Sequence, residues 1–310
     1  MPVQINKRMG VVEWLLLILL SLVWGGSFFF IEVMLTQWQP LTIVLGRVSI
    51  AAVVLNIVVR FSGHRMPADL KVWGTFLFMG LINNLIPFSL ISFGQTQISS
   101  SLASILNATT PVWTVLLAHF LTKDEILTKN RFAGVIAGVI GVVIMIGWDA
   151  LGGLGINVLA QLAVIGAAIS YGFAGIYGKR FKDLPAIVTA TGQITGTALL
   201  AFPITMIVDR PWNYTAPGMN VWGALLALAL ISTAFAYILY FRLLTTAGAT
   251  NLLLVTFLVP VSAILLGTLI LGEQLLLRHI LGMIMIGLSL AAIDGRVLGL
   301  FRRNIVSARS

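Results

Sequence analysis

VWGTFLFMGLINNLIPFSLISFG (residues 72–94) and VWGALLALALISTAFAYILYFRL (residues 221–243) decide how this chain is read. Each is an apolar block about as long as a bilayer-spanning helix, which needs about 20 such residues. Each opens on Val-Trp-Gly and carries a polar pair near its middle, Asn83-Asn84 in the first and Ser232-Thr233 in the second. An offset of 149 residues relates the two, and the same offset places Pro111-Val112 on Pro260-Val261 and Gly138 on Gly287. Across 72–141 against 221–290 it gives 14 identities without a gap. Leucine-rich helices match by chance often, so the weight lies on the paired Trp-Gly and Pro-Val at one register. The chain therefore reads as two repeats, 1–148 and 149–310, forming one membrane domain.

Composition agrees. The 310 residues are 59% hydrophobic and only 9% charged, with no cysteine, and the mean hydropathy is +1.03. Soluble domains carry about 25% charged residues, so a water-soluble enzyme and a disordered tail are both excluded. Zero cysteine removes thiolate metal sites, iron–sulfur clusters and thiol catalysis. Apolar blocks at 11–31, 40–59, 72–94, 100–121, 131–148, 157–177, 185–207, 221–243, 249–271 and 277–294 predict ten transmembrane helices in an all-α integral membrane protein. Continuous blocks rather than alternating residues exclude a porin-type barrel. Residues 11–23 follow Lys7 and Arg8 as a signal-peptide core would, but Trp24-Gly25-Gly26-Ser27 offers no cleavage site, so they read as the first helix.

Ten spans place both termini on one side. Putting them in the cytoplasm assigns sixteen of the nineteen Lys and Arg residues there, leaving Arg210 and Arg278 outside and Arg47 within the membrane. The net charge of +9 is thereby explained by positive inner loops, with no nucleic-acid partner. Five spans per half is an odd number, so the halves enter the membrane from opposite sides. Inverted repeats of this kind mark transporters whose substrate site lies at the midplane between the halves.

Polar groups in apolar spans face a cavity or a partner helix. Asn83, Asn84, Phe88, Asn107, Tyr171, Thr233, Tyr237 and Trp24 are the candidate substrate-binding residues. The same groups serve equally to join helix to helix. Pro111 and Pro260 fall inside spans at repeat-equivalent positions and are candidate hinges, since an internal proline removes a helical hydrogen bond; a static packing kink is the alternative. Arg47 could bind a carboxylate, but snorkelling or pairing with Glu32 accounts for it structurally, and that account is preferred. No acid sits clearly at the midplane, which favours a neutral or zwitterionic substrate. Three scattered histidines make no metal site, and Gly175-Ile176-Tyr177-Gly178-Lys179-Arg180 lacks phosphate-loop spacing. No cofactor is expected.

Several of these residues resemble a known family. Trp24-Gly25-Gly26-Ser27-Phe28 in the first helix, Arg47 in the second, Pro111 followed by Asp124-Glu125, and Pro260 followed by Gly272-Glu273 resemble, in order, the signatures of the drug/metabolite transporter superfamily of EamA type. One departure is that the first-half motif reads Lys123-Asp124-Glu125, without the glycine. The resemblance covers essentially the whole chain and implies ten helices in two repeats. In overall likeness the chain is similar to bacterial aromatic amino-acid exporters. That implies an inner-membrane exporter of aromatic and other neutral amino acids, working by alternating access and not an enzyme. A sugar-phosphate or drug-type carrier of the same superfamily is the alternative, and an intramembrane enzyme or ligand-binding receptor is the alternative of another class. The oligomeric state is left open.

Overall fold

Prolines and polar caps set where the helices begin. The computed structural model describes residues 9–122, 129–146, 155–252 and 254–294. Helix α1 spans Val11–Leu35 and α2 Pro40–Phe61, with Pro40 at the first turn, where its missing N–H costs nothing. Helix α3 spans Leu70–Gln95, started by Asp69, whose carboxylate accepts the Lys71 N–H at 2.8 Å. Helix α4 spans Ser100–Leu121 and α5 Lys129–Ile146. The second half supplies α6 (Ile156–Phe181), α7 (Ala186–Val208), α8 (Met219–Ala247), a single turn Ala249–Leu252, α9 (Val255–Ile270) and α10 (Leu277–Asp294). No strand occurs among the described residues.

Seven of these helices, α1 to α4 and α6 to α8, are long and apolar enough to cross a membrane; Phe132–Ile144, Leu258–Ile270 and Leu277–Ser289 are shorter apolar stretches. Where the sequence predicted ten spans, the described residues thus hold seven full-length apolar helices and three shorter ones. The ninth expected span, 249–271, is divided after Leu252. Lys7, Arg8, Lys123, Asp124, Glu125, Trp148 and the bases from Arg296 onward lie outside the described residues.

The third helix of each half contains a π-helical segment, Leu81–Leu85 in α3 and Ala227–Phe235 in α8. Each contains the polar pair singled out by the repeat. Such segments widen the helix by one residue per turn and concentrate at functional sites. Pro111 is not the mid-helix kink that its place in an apolar span predicted. The fourth helix breaks at Ala108-Thr109, and Pro111 is the second residue of the segment Thr110–Leu121. The carbonyls at the break are taken by hydroxyls: Thr109 Oγ1 donates to Leu106 O at 2.6 Å and Thr110 Oγ1 to Asn107 O at 2.7 Å. Pro260 does lie inside its helix.

Glycines set the closest helix contacts. A methyl group on Gly25 would stand 2.6 Å from Ser262 Cβ and 2.9 Å from the Ala263 nitrogen, so α1 and α9 touch through backbone. Gly25→Ala is expected to lower stability by about 1–3 kcal/mol, read as a lower melting temperature in detergent. An unchanged melting temperature would show that the two helices have room to separate. Gly192 and Gly196 of α7, one helical turn apart, lie against Phe76 and Leu77 of α3 and let these two helices approach closely. Helices α5 and α10 pack chiefly on each other and lean on α4, to one side of the remaining eight.

The two ends of the bundle differ. At one end Met66, Val72, Tyr177, Phe181 and Leu184 form an apolar cluster beneath the basic loops. At the other end the halves are tied by polar contacts. Asp209 Oδ2 accepts the Thr42 N–H and hydroxyl at 2.7 and 3.0 Å, and Gln37 Oε1 accepts the Gly218 N–H at 2.8 Å. Trp38 meets Trp222 edge to face at 5.3 Å. Glu273 completes this end. One of its oxygens accepts the Ser100 N–H and hydroxyl at 2.8 and 2.6 Å; the other accepts the Ser101 N–H at 3.0 Å and the Ser101 hydroxyl. Gly272, at φ +69°, makes the left-handed turn that brings Glu273 back onto the first turn of α4.

Candidate functional site

A cavity of about 700 Å³ lies between the two halves. Its wall reaches exposed Lys182 and half-buried Leu184 at the end with the basic loops, and at the tied end it stops at buried Ile31 and Ile91. It therefore opens at one end only.

Trp24, Asn83, Asn84, Phe88, Asn107, Tyr171 and Tyr237 all line this cavity. They come from α1, α3, α4, α6 and α8. Thr233, grouped with them on sequence, does not line it. Its hydroxyl sits behind the wall, donating to Leu228 O at 2.8 Å and accepting from Arg47 Nε at 2.8 Å. Pro111 and Pro260 are not at the wall either, though Thr110, Val259 and Thr256 beside them are. Trp113 of α4 donates its ring N–H to Thr109 Oγ1 at 3.1 Å and does not line the cavity.

Arg47 departs from one part of its structural reading, the pairing. It does not pair with Glu32, whose carboxylate instead accepts from Gln95 Nε2 at 3.2 Å. Arg47 is 7% exposed and lines the cavity, its guanidinium carbon 3.7 Å from the centre of the Phe88 ring. Nε is held by Thr233. Among the described residues, neither terminal nitrogen has a hydrogen-bond partner, and no carboxylate lies within ionic reach. The cavity wall likewise contains no Asp or Glu among those residues. A desolvated cation with unused donors and no counter-ion is costly, and the planar fork of guanidinium fits a carboxylate.

The amides form a chain that fixes the opposite wall. Asn83 Nδ2 donates to Gln193 Oε1 at 3.0 Å, Gln193 Nε2 to Tyr237 Oη at 3.3 Å, Tyr237 Oη to Asn84 Oδ1 at 3.1 Å, and Asn84 Nδ2 to Thr197 Oγ1 at 3.2 Å. Sequence reasoning missed Gln193. It lies between Gly192 and Gly196, which pack on α3, although a lone amide in an apolar helix was itself the available sign. Three polar wall atoms lack a partner in the described structure: Asn107 Oδ1, Ser232 Oγ and Ser27 Oγ. Aromatic faces complete the enclosure, with Trp24 against Tyr240 at 5.8 Å and Tyr237 stacked on Phe241 at 6.1 Å. The site thus offers one buried cation, several amide and hydroxyl acceptors, and flat apolar surfaces, with Lys182 at its mouth. No group of three or more metal-binding side chains occurs among the described residues.

Comparison with known proteins agrees with this architecture. A crystal structure 17% identical in sequence superposes with a TM-score of 0.66, covering 93% of this chain and 98% of its own. The chain is 26% identical to the uncharacterized transporter YoaV of Bacillus subtilis over 275 residues, 87% of this chain and 92% of that one. It is 23% identical to the uncharacterized inner membrane transporter YedA of Escherichia coli K12 over 83% of this chain and 82% of that one. It is 26% identical to the protein PecM of Dickeya dadantii over 91% of each. The model of the EamA-like transporter family matches twice, over residues 12–147 and 158–293. With nearly the whole chain covered by two copies of that model and a cavity between the helices they supply, this protein belongs to the EamA-like transporter family.

Proposed function

We propose that this transporter exports small carboxylate-bearing metabolites, foremost amino acids with aromatic or other neutral side chains, by alternating access. The observation that carries the reading is Arg47, buried in an acid-free cavity with its terminal nitrogens unpartnered among the described residues. A carboxylate would neutralise it, the aromatic wall would take an apolar side chain, and the free oxygens at Asn107 and Ser232 would accept from an ammonium group. A phosphate would call for more buried cations than this one. In this reading ten helices span the inner membrane as two inverted repeats, 1–148 and 149–310, with both termini cytoplasmic. The open end then faces the cytoplasm, as an exporter awaiting substrate requires.

The test is transport by purified protein in proteoliposomes, comparing labelled phenylalanine, threonine, lysine and a sugar phosphate with and without a pH gradient. Saturable phenylalanine or threonine flux supports the reading, and flux of sugar phosphate alone overturns it. Pro111 and Pro260 are proposed as the hinges. Pro260→Ala is expected to slow flux several-fold with substrate affinity unchanged. Equal losses in flux and binding, or none in either, would defeat the hinge.

A further inference from the structure

A second concavity lies on the outer face of the bundle, away from the central cavity. It is a groove of about 510 Å³ between α3 and α6, with α4 contributing Leu121. Its walls are apolar: Phe78, Ile86, Leu121 and Phe173 are all exposed there. The Ser170 hydroxyl is spent on Ile82 O at 2.6 Å, so between Gly166 and Ile176 the groove presents hydrocarbon, and its polar groups, on Tyr177 and Arg180, stand together at one end. Along α6 it runs from Gly166 to Arg180. At 1.5 Å per residue that is about 20 Å, somewhat more than one leaflet of a hydrocarbon core about 30 Å thick.

A single charge stands at the end of the groove. Arg180 follows the last α-helical turn of α6, its guanidinium carbon 4.8 Å from the centre of the Tyr177 ring. It is exposed, and among the described residues no acid is within ionic reach. Exposed Lys179 and Lys182 flank it. A hydrocarbon groove would accept any acyl chain; the cation where the helix leaves the membrane selects the headgroup. A second copy of the chain is a poor occupant. Paired groove to groove about an axis along the membrane normal, it would bring its own cation to the same level, like charge against like.

We propose that this groove binds an anionic phospholipid, one acyl chain lying between α3 and α6 and the phosphate resting on Arg180. Because α3 belongs to the first half and α6 to the second, the lipid bridges the seam across which the halves move. The proposal does not depend on which substrate the central cavity takes.

The test is native mass spectrometry of the purified chain presented with equimolar phosphatidylglycerol and phosphatidylcholine. The unaltered protein is expected to retain phosphatidylglycerol preferentially. Arg180→Gln is expected to reduce that preference about fivefold, the worth of one basic residue at an anionic surface. Arg60→Gln, at the same end but outside the groove, is expected to leave it unchanged, and Ile86→Trp, which fills the groove, to reduce retention of both lipids. Equal retention of the two lipids by the unaltered protein would overturn the proposal. So would an equal effect of Arg60→Gln and Arg180→Gln, which would indicate diffuse surface charge. A dimer abolished by Ile86→Trp would assign the groove to a second copy instead.

Discussion

Arg47→Met is expected to abolish discrimination between a carboxylate substrate and its uncharged amide while leaving the protein folded. In the unaltered chain the guanidinium is buried with no acid at the cavity wall among the described residues. Breaking a buried ion pair by removing one partner costs about 3–5 kcal/mol, so affinity for phenylalanine should fall by roughly a hundredfold or more. Affinity for phenylalanine amide should change little. The empty protein has the opposite balance. Met removes a desolvated cation, and Thr233 keeps its bond to Leu228 O, so the melting temperature without ligand should stay level or rise. Calorimetric titration and a thermal melt read both quantities. If acid and amide lose affinity equally, Arg47 holds the wall in shape and does not receive the substrate.

Glu273→Ala is expected to open the tied end. Glu273 joins the turn after α9 to the first turn of α4 through four hydrogen bonds to Ser100 and Ser101. Hydrogen bonds to charged groups contribute about 1.5–3 kcal/mol each; counting the whole cluster at about 3 kcal/mol allows for its partial exposure and shifts the gate equilibrium by roughly two decades. Because the chain has no cysteine, one introduced thiol reports without background. Ile31→Cys, at the closed end of the cavity and 2% exposed in the unaltered chain, should resist an impermeant maleimide added from the tied side. In the Glu273→Ala background it should label readily. Equal protection in both would mean that Asp209, Gln37 and the tryptophan pair hold this end closed without Glu273.

The helices were legible because a bilayer imposes one length and one composition on any segment that crosses it. Trp73-Gly74 and Trp222-Gly223 were legible as a repeat because the duplication preserved its register. The polar pairs Asn83-Asn84 and Ser232-Thr233 stood out for the cost of burying them. Their π-helical setting was hidden, since helix widening depends on which carbonyl each N–H reaches and leaves no residue signature of its own. Thr233 was grouped with the wall residues because spacing along one helix cannot tell which polar side chain faces the cavity and which braces it. Pro111 was read inside a continuous helix because the hydroxyls of Thr109 and Thr110 at the break look, in sequence, like any others in an apolar span.

The amino-acid sequence by itself determined that this is an all-helical membrane protein, that its two halves are copies, and where its chemistry-bearing residues are concentrated. These are local or periodic properties, dictated by burial free energy and chain register. Only the tertiary structure decided where Arg47 lies and what touches it. Its Nε partner is 186 residues away in the chain, the ring over which it lies comes from a third helix, and Glu32 is bound by Gln95 instead. The packing also decided that one end of the cavity is tied, through contacts such as Ser100 with Glu273 at a separation of 173 residues. Desolvation and pairing are set by whatever surrounds a group in space, and a chain position does not carry that information until the helices have packed.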